Sequence, residues 1–285
     1  MNFHLAHIVP SKIMHGLNGY KEVIDTVQWG LQQLGHSAAY GLNILSPTAT
    51  NIVFGVQLLS METIDKLPPE TTVYNFEQGK GWNAEDLKPQ IRVAAQRFRI
   101  WDYSAGNAIV WSKLGARNIR IVPIGYAPIL KRIQKPPIQD IDVLMYGSPG
   151  QDRLGAFHYL SYSGLTTMFV CGLYGKARDE LIARSKVIVN INQYDRSKIF
   201  EIVRVSYLLA NRKAVVADID ADTVIDEDVC TGIKTTTGPQ LVKDCQSLVA
   251  DDAARAALEE TGFGVIEKRD IRKILERAFA ADPDR

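Results

Sequence analysis

Residues 185–218 carry a polar cluster framed by apolar runs, and its side chains are of the kinds that hold phosphates and hydroxyl groups. Asn190, Asn192, Gln193 and Tyr194 close the β-branched run 187–191 and offer amides and a phenol; Lys198 and Arg204 add cations; Glu201 is a carboxylate that accepts from hydroxyls. Alone, Glu201 and Arg204 could equally be an ordinary surface pair one helical turn apart. Upstream, Gly147-Ser148-Pro149-Gly150-Gln151-Asp152-Arg153 follows another apolar run and opens a helix, so its amides and the Arg153 guanidinium suit an anion. The glycines match neither a Walker A loop nor a dinucleotide fingerprint, and a plain turn is the alternative reading. In the loop 171–176, Tyr174 is placed to stack on a base, or simply to end a tight turn.

These residues need elements to hold them at the ends of strands. Apolar periodicity predicts strands at 3–9, 37–41, 51–58, 72–76, 98–101 and 119–122, with helices at 20–34, 61–67, 91–96 and 105–114 between them. A second series predicts strands at 141–146, 166–171, 187–191 and 214–217, with helices at 153–163, 177–184 and from 199 onward. A helix at 240–261, a strand at 264–266 and a helix at 270–281 close the chain. Alternation of this kind implies parallel sheets covered on both faces, an α/β chain of two doubly wound domains. The stretch PILKRIQKPPIQD has prolines, cations and no periodicity, and reads as a linker over 128–140 between domains 1–127 and 141–285.

In order and content, 141–218 resembles the nucleotide-sugar-binding C-terminal domain of GT-B glycosyltransferases of the group 1 type. The phrase WDYSAGNAIVWSKLGARNIRIVPIGY is similar to the junction between the two domains of some members. The resemblance implies two Rossmann-like domains facing a cleft, with a terminal helix crossing back to the first. It also implies a transferase that moves a hexose or related sugar from a nucleoside-diphosphate sugar to an acceptor hydroxyl. Donor contacts would then come from Gly147, Ser148, Arg153, Tyr174, Asn192, Tyr194, Lys198, Glu201, Arg204 and Tyr126. Cationic side chains would neutralise the leaving diphosphate, with no cofactor or metal required. Many members carry a second glutamate on the carboxylate-bearing helix; Tyr207 and Asn211-Arg212 stand in that region here, so a retaining outcome is not implied.

A general base must reach the acceptor hydroxyl, and three first-domain residues lie just beyond strand ends: His15, Glu77 and Asp102. Two other readings stay open. One is a sugar-nucleotide epimerase or hydrolase on the same fold. The other is nucleic-acid binding through residues 80–135, where eleven Lys or Arg face three acids; DNA as a glycosyl acceptor would unite the two signals. The same basic stretch would also suit an acidic acceptor or a peripheral contact with an anionic membrane, but the preferred reading is a solvated face balanced by the six acids of 218–228.

Across its 285 residues the chain is 46% hydrophobic and 23% charged with a net charge of +1, a globular balance with room for two cores. Cys171, Cys230 and Cys245 lack metal-ligand spacing and fit no disulfide framework, which points to a reducing, cytoplasmic setting. No apolar run reaches the length of a membrane span, and the first residues read as a strand rather than a signal. Asp140-Ile141-Asp142 and Asp218-Ile219-Asp220-Ala221-Asp222 invite comparison with metal-binding Asp-x-Asp pairs. The first precedes a strand and the second lies in an acid-rich loop, so solvated acid is the preferred reading.

Overall fold

The structure, a computed structural model, describes residues 1–10, 19–79, 87–192 and 198–280. It divides into two compact units, Met1–Ala127 with Asp270–Arg285, and Pro128–Arg269. Among the described residues no helix is long and apolar enough to cross a membrane.

The first unit is a six-stranded, wholly parallel sheet. Its strands are β1 (Asn2–His7), β2 (Ser37–Leu42), β3 (Thr50–Phe54), β4 (Thr72–Asn75), β5 (Arg99–Asp102) and β6 (Ile119–Ile121), in the order β2-β1-β3-β4-β5-β6. Leu5, Ile52, Val53, Phe54, Val73 and Ile100 are buried, as strands covered on both faces require. Helices α1 (Lys21–Gln33), α2 (Met61–Asp65), α3 (Pro89–Arg97) and α4 (Ala105–Lys113) do the covering. Ile64, Ile91, Ala94 and Trp111 join Val53, Val73 and Ile100 in one core cluster, with Pro89 in the first turn of α3, where its missing N–H costs nothing.

The second unit is a five-stranded parallel sheet in the order β11-β10-β9-β7-β8. Its elements run β7 (Ile141–Tyr146), α5 (Gln151–Ser161), β8 (Thr167–Val170), α6 (Gly175–Arg184), β9 (Ser185–Ile191), α7 (Ile202–Ala210) and β10 (Ala214–Asp218). There follow α8 (Glu227–Thr231), β11 (Lys234–Thr236), α9 (Leu241–Ala250) and α10 (Asp252–Glu267). Val143, Met145, Val187, Val189 and Val216 pack against Leu160 of α5 and Leu241, Cys245 and Leu248 of α9.

The chain then returns to the first unit as α11 (Ile271–Ala280). There Phe279 stacks on Phe3 at 5.6 Å and leans on Trp101 at 5.6 Å. Gly30 of α1 admits α11 closely, for a β-carbon at that position would lie 2.8 Å from Leu275 Cδ1. The backbone bridge between Tyr126 and Asp270 marks where this returning segment joins the sheet unit.

The strand expected over 51–58 ends at Phe54, where Gly55 takes φ +90 and opens a 3-10 turn over Val56–Leu58. Three other expectations change. The helix expected over 240–261 is two helices, because Asp251 leaves helical geometry and caps α10 by accepting from Ala254 N at 2.9 Å. The strand expected at 264–266 lies inside α10: Gly262 serves as a notch there rather than a breaker, since a β-carbon on it would lie 2.7 Å from Gly232 O. The helix expected from 199 starts at Ile202, because Ile199 bridges Val224 and Phe200 N donates to Val224 O. The aperiodic stretch after Ala127 is strapped to the second unit: Asn211 accepts from the amides of Arg132 and Ile133, each at 2.8 Å, and donates to Leu130 O at 2.9 Å.

Candidate functional site

In the second unit the chain leaves β7 toward β8 on one side and continues from β9 toward β10 on the other, so β7 and β9 flank the point where strand order reverses. Ligands of open parallel sheets bind in the crevice beyond the carboxyl ends of such a strand pair. Gly147 follows β7 directly with φ +128, a conformation that favours glycine. Arg153, on the first turn of α5, is only 2% exposed and turns back under this crevice. Its Nε donates to Ile191 O at 2.9 Å, its Nη1 to Ser148 O at 2.9 Å and its Nη2 to Glu201 Oε1 at 2.5 Å.

Glu201 occupies the N-cap position of α7, where the helix dipole favours a negative charge. Its second oxygen is paired with Arg204 Nη2 at 2.7 Å. Arg204 also donates from Nη1 to Asn190 Oδ1 at 3.4 Å and lies over the Tyr146 ring at 5.2 Å. Two guanidiniums thus share one carboxylate, leaving one net positive charge where an anion would sit. The Arg204 side chain is 19% exposed and is the cation that can meet a ligand. Buried beside it, Asn190 Nδ2 and Asn192 Oδ1 have no hydrogen-bond partner among the described residues. Burying such groups unpaired is costly, and a polar ligand would satisfy them.

The structure therefore brings Gly147, Ser148, Arg153, Glu201 and Arg204 together. It corrects Arg153: buried and committed to two carbonyls and Glu201, it positions the loop and the carboxylate rather than meeting a phosphate itself. Lys198 pairs with Asp220 beyond β10, which holds the Asp220 carboxyl below its ordinary range, with help from Thr223. Tyr174 is half-buried at the N-cap position of α6. Tyr194 lies outside the described residues, as does His15. Tyr126 is corrected as well: it is buried, and its carbonyl accepts from Ile271 N at 3.1 Å, so it anchors the returning chain instead of offering a ligand surface. Of the aspartate pairs, Asp140 holds Arg184 at 2.5 Å and Asp142 holds Lys186 at 2.8 Å. Among the described residues no group of three or more His, Cys, Asp or Glu is arranged to hold a metal ion.

In the first unit Asp102 is 0% exposed, and both oxygens are filled. Oδ2 accepts from Asn75 Nδ2 and Trp111 Nε1, each at 2.8 Å; Oδ1 accepts from Ser104 N at 2.9 Å and Asn107 Nδ2 at 3.0 Å. Burial pushes its carboxyl up to about 6 against the lowering effect of these donors. Enclosed in this way, Asp102 has no lone pair to offer a substrate and is a structural hub, not the base expected from its position. The same two asparagines also bond Glu77 O, each at 2.9 Å, so the hub fixes the loop after β4.

Glu77 is the half-buried acid that this loop presents. Its Oε1 accepts from Tyr20 OH at 2.9 Å and Gln57 Nε2 at 3.0 Å, while Oε2 carries no hydrogen bond among the described residues. Tyr20 and Gln57 escaped the sequence reading. The sequence places Tyr20 at the start of a helix and Gln57 near the end of a strand, whereas Tyr20 is the N-cap residue of α1 and Gln57 lies in a 3-10 turn beyond β3, and neither residue type is distinctive there.

No protein-family profile and no curated protein matches the sequence. Solved structures do. AviGT4, a glycosyltransferase involved in avilamycin A biosynthesis, is 15% identical, with a TM-score of 0.60 over 98% of this chain and 97% of that one. HepE from Anabaena, solved in complex with UDP-glucose, is 12% identical, with a TM-score of 0.61 over 98% of each chain. The T4 phage BGT, solved with its UDP-glucose substrate, is 12% identical, with a TM-score of 0.58 over 98% of each. At such identities the likeness is one of backbone, and with both parallel sheets included it shows that the chain has the GT-B fold of these glycosyltransferases.

Proposed function

We propose that the protein is a glycosyltransferase that moves a sugar from a nucleoside-diphosphate sugar to an acceptor hydroxyl, with cationic side chains rather than a metal neutralising the departing diphosphate. The observation that carries this reading is the Arg153–Glu201–Arg204 bracket over Gly147 at the strand-order reversal. HepE and the T4 phage enzyme, two neighbours of this fold, were solved with UDP-glucose, which supports a uridine donor.

In this reading Arg204 and the amides of the 147–151 loop meet the diphosphate, while Asn190 and Asn192 bond polar groups of the donor. Glu77 Oε2 takes the proton of the acceptor hydroxyl as that oxygen forms its bond to the anomeric carbon. The bond from that carbon to the diphosphate oxygen breaks, and its electron pair leaves with the diphosphate. Tyr20 and Gln57 hold the other oxygen of Glu77, keeping Oε2 aimed. A single displacement of this kind inverts the anomeric centre.

The test is thermal denaturation with UDP, GDP, CDP and dTDP and their sugars, with and without EDTA. A ligand that binds only the folded chain raises its melting temperature with concentration. One nucleotide class should stabilise the native protein, with or without chelator, and fail to stabilise Arg204→Ala. No shift with any nucleotide sugar would remove the reading.

A further inference from the structure

Between Leu87 and Ala127 the chain carries seven Lys or Arg residues against a single acid, Asp102. Since Asp102 is 0% exposed, nothing within this segment offsets the cations at the surface. The overall charge of +1 hides this asymmetry, because the balancing acids lie elsewhere. Lys113, ending α4, and Arg117, in the turn before β6, are exposed and carry no ion pair among the described residues.

Apolar side chains stand among these cations. Asn107 and Trp111 are the buried positions of α4, which turns Ile109 outward, 61% exposed and one turn before Lys113. On edge strand β6, Ile121 is 44% exposed and pairs in register with Asp102, two residues before the Ser104 cap that starts α4. Ile121 is thus level with the first turn of that helix. The segment's aromatic residues, Phe98, Trp101, Tyr103, Trp111 and Tyr126, are all buried, so no ring is presented for stacking on unpaired bases. A phosphodiester backbone would use the cations but leave the isoleucines in water. A lipid interface uses both, with cations at headgroup phosphates and aliphatic side chains at the acyl boundary.

We propose that the edge formed by α4 and β6 of the first unit docks on an anionic lipid surface, with Lys113 and Arg117 meeting headgroup phosphates and Ile109 and Ile121 entering the acyl boundary. The inference stands apart from the donor reading, since these residues lie outside the bracket around Glu201.

Sedimentation with vesicles tests it, using phosphatidylcholine alone and equal parts of phosphatidylcholine and phosphatidylglycerol. The protein is expected to sediment with the mixed vesicles only. Lys113→Ala with Arg117→Ala should weaken partitioning about thirtyfold, taking each cation at its usual worth near a charged bilayer. Ile109→Ser should weaken the binding that survives at raised salt, because screening spares the apolar part. Both variants should keep the melting temperature and the nucleotide response of the parent, which separates failure of this inference from failure of the donor reading. Absence of binding to the mixed vesicles, or undiminished binding by the variants, would overturn it. So would salt-sensitive binding of duplex DNA that falls in the Lys113/Arg117 variant but is untouched by Ile109→Ser, which would assign the surface to nucleic acid.

Discussion

Gly147 and Arg204 meet so closely that a β-carbon on the glycine would lie 2.9 Å from Arg204 Nη2. Arg153 Nη1 would stand 3.2 Å from the same point, so both guanidiniums close over bare backbone. Gly147→Ala would combine this collision with φ +128, and should cost about 1–3 kcal/mol of stability while displacing Arg204. Calorimetric titration with the stabilising nucleotide should show weaker binding; parental affinity and melting would mean that the close approach has no consequence.

Removing Glu201 should act twice. Arg153 is 2% exposed and would lose its carboxylate, and breaking a buried pair on one side costs about 3–5 kcal/mol. Arg204→Met should cost less stability, since that side chain reaches solvent, but more nucleotide affinity, about 1.5–3 kcal/mol for a hydrogen bond to a charged group. Melting curves and titrations of the two variants should therefore rank in opposite orders.

Glu77→Gln keeps the contacts of Tyr20 and Gln57 within reach but removes the proton acceptor. Turnover should fall about 10²–10⁴-fold with nucleotide affinity intact. Tyr20→Phe should fall between parent and Glu77→Gln in turnover, with nucleotide affinity and melting temperature kept. Parental turnover in Tyr20→Phe, or a loss matched by a lower melting temperature, would reduce Tyr20 to a packing role.

Asp102 makes a pH prediction. With its carboxyl raised from 3.8 to about 6, the folded chain holds a proton that the unfolded chain has released between those values. The contribution to stability is fully present below the lower value and is lost as pH rises through about 6, a change of about 3 kcal/mol. Salt-bridged acids such as Asp228, lowered chiefly by Arg269, slope the opposite way, so the difference between parent and Asp102→Asn isolates the hub. The variant should lack this slope and be less stable throughout, because four donors would face an amide. Parallel curves for the two proteins from pH 4 to pH 7 would refute the assignment.

Much of the architecture was legible because strands covered on both faces need predominantly apolar runs, and 141–146, 187–191 and 214–217 supply them. Element ends were less so. Glycine at 262 looks like a breaker in a string of letters, yet it is a contact surface once Gly232 is beside it. Likewise Asp102 and Glu77 are both acids just past a strand, and nothing local tells them apart. The difference is made by Asn75, Asn107 and Trp111 from other elements, which enclose one, and by Tyr20 and Gln57, which bond a single oxygen of the other. For the same reason Arg153 looks like a phosphate ligand in the sequence, since its burial depends on Ile191 and Glu201, far along the chain.

The sheet built by the first 127 residues is roofed in part by α11, which the ribosome releases only after the whole intervening unit has been made. Phe3, Gly30 and Trp101 therefore wait, uncovered, through most of synthesis, while the intervening unit is contiguous and can fold as it emerges. The nascent amino-terminal half is the natural client for a chaperone. Stop codons placed just before Ile271 should yield an aggregating product, however complete the later sheet.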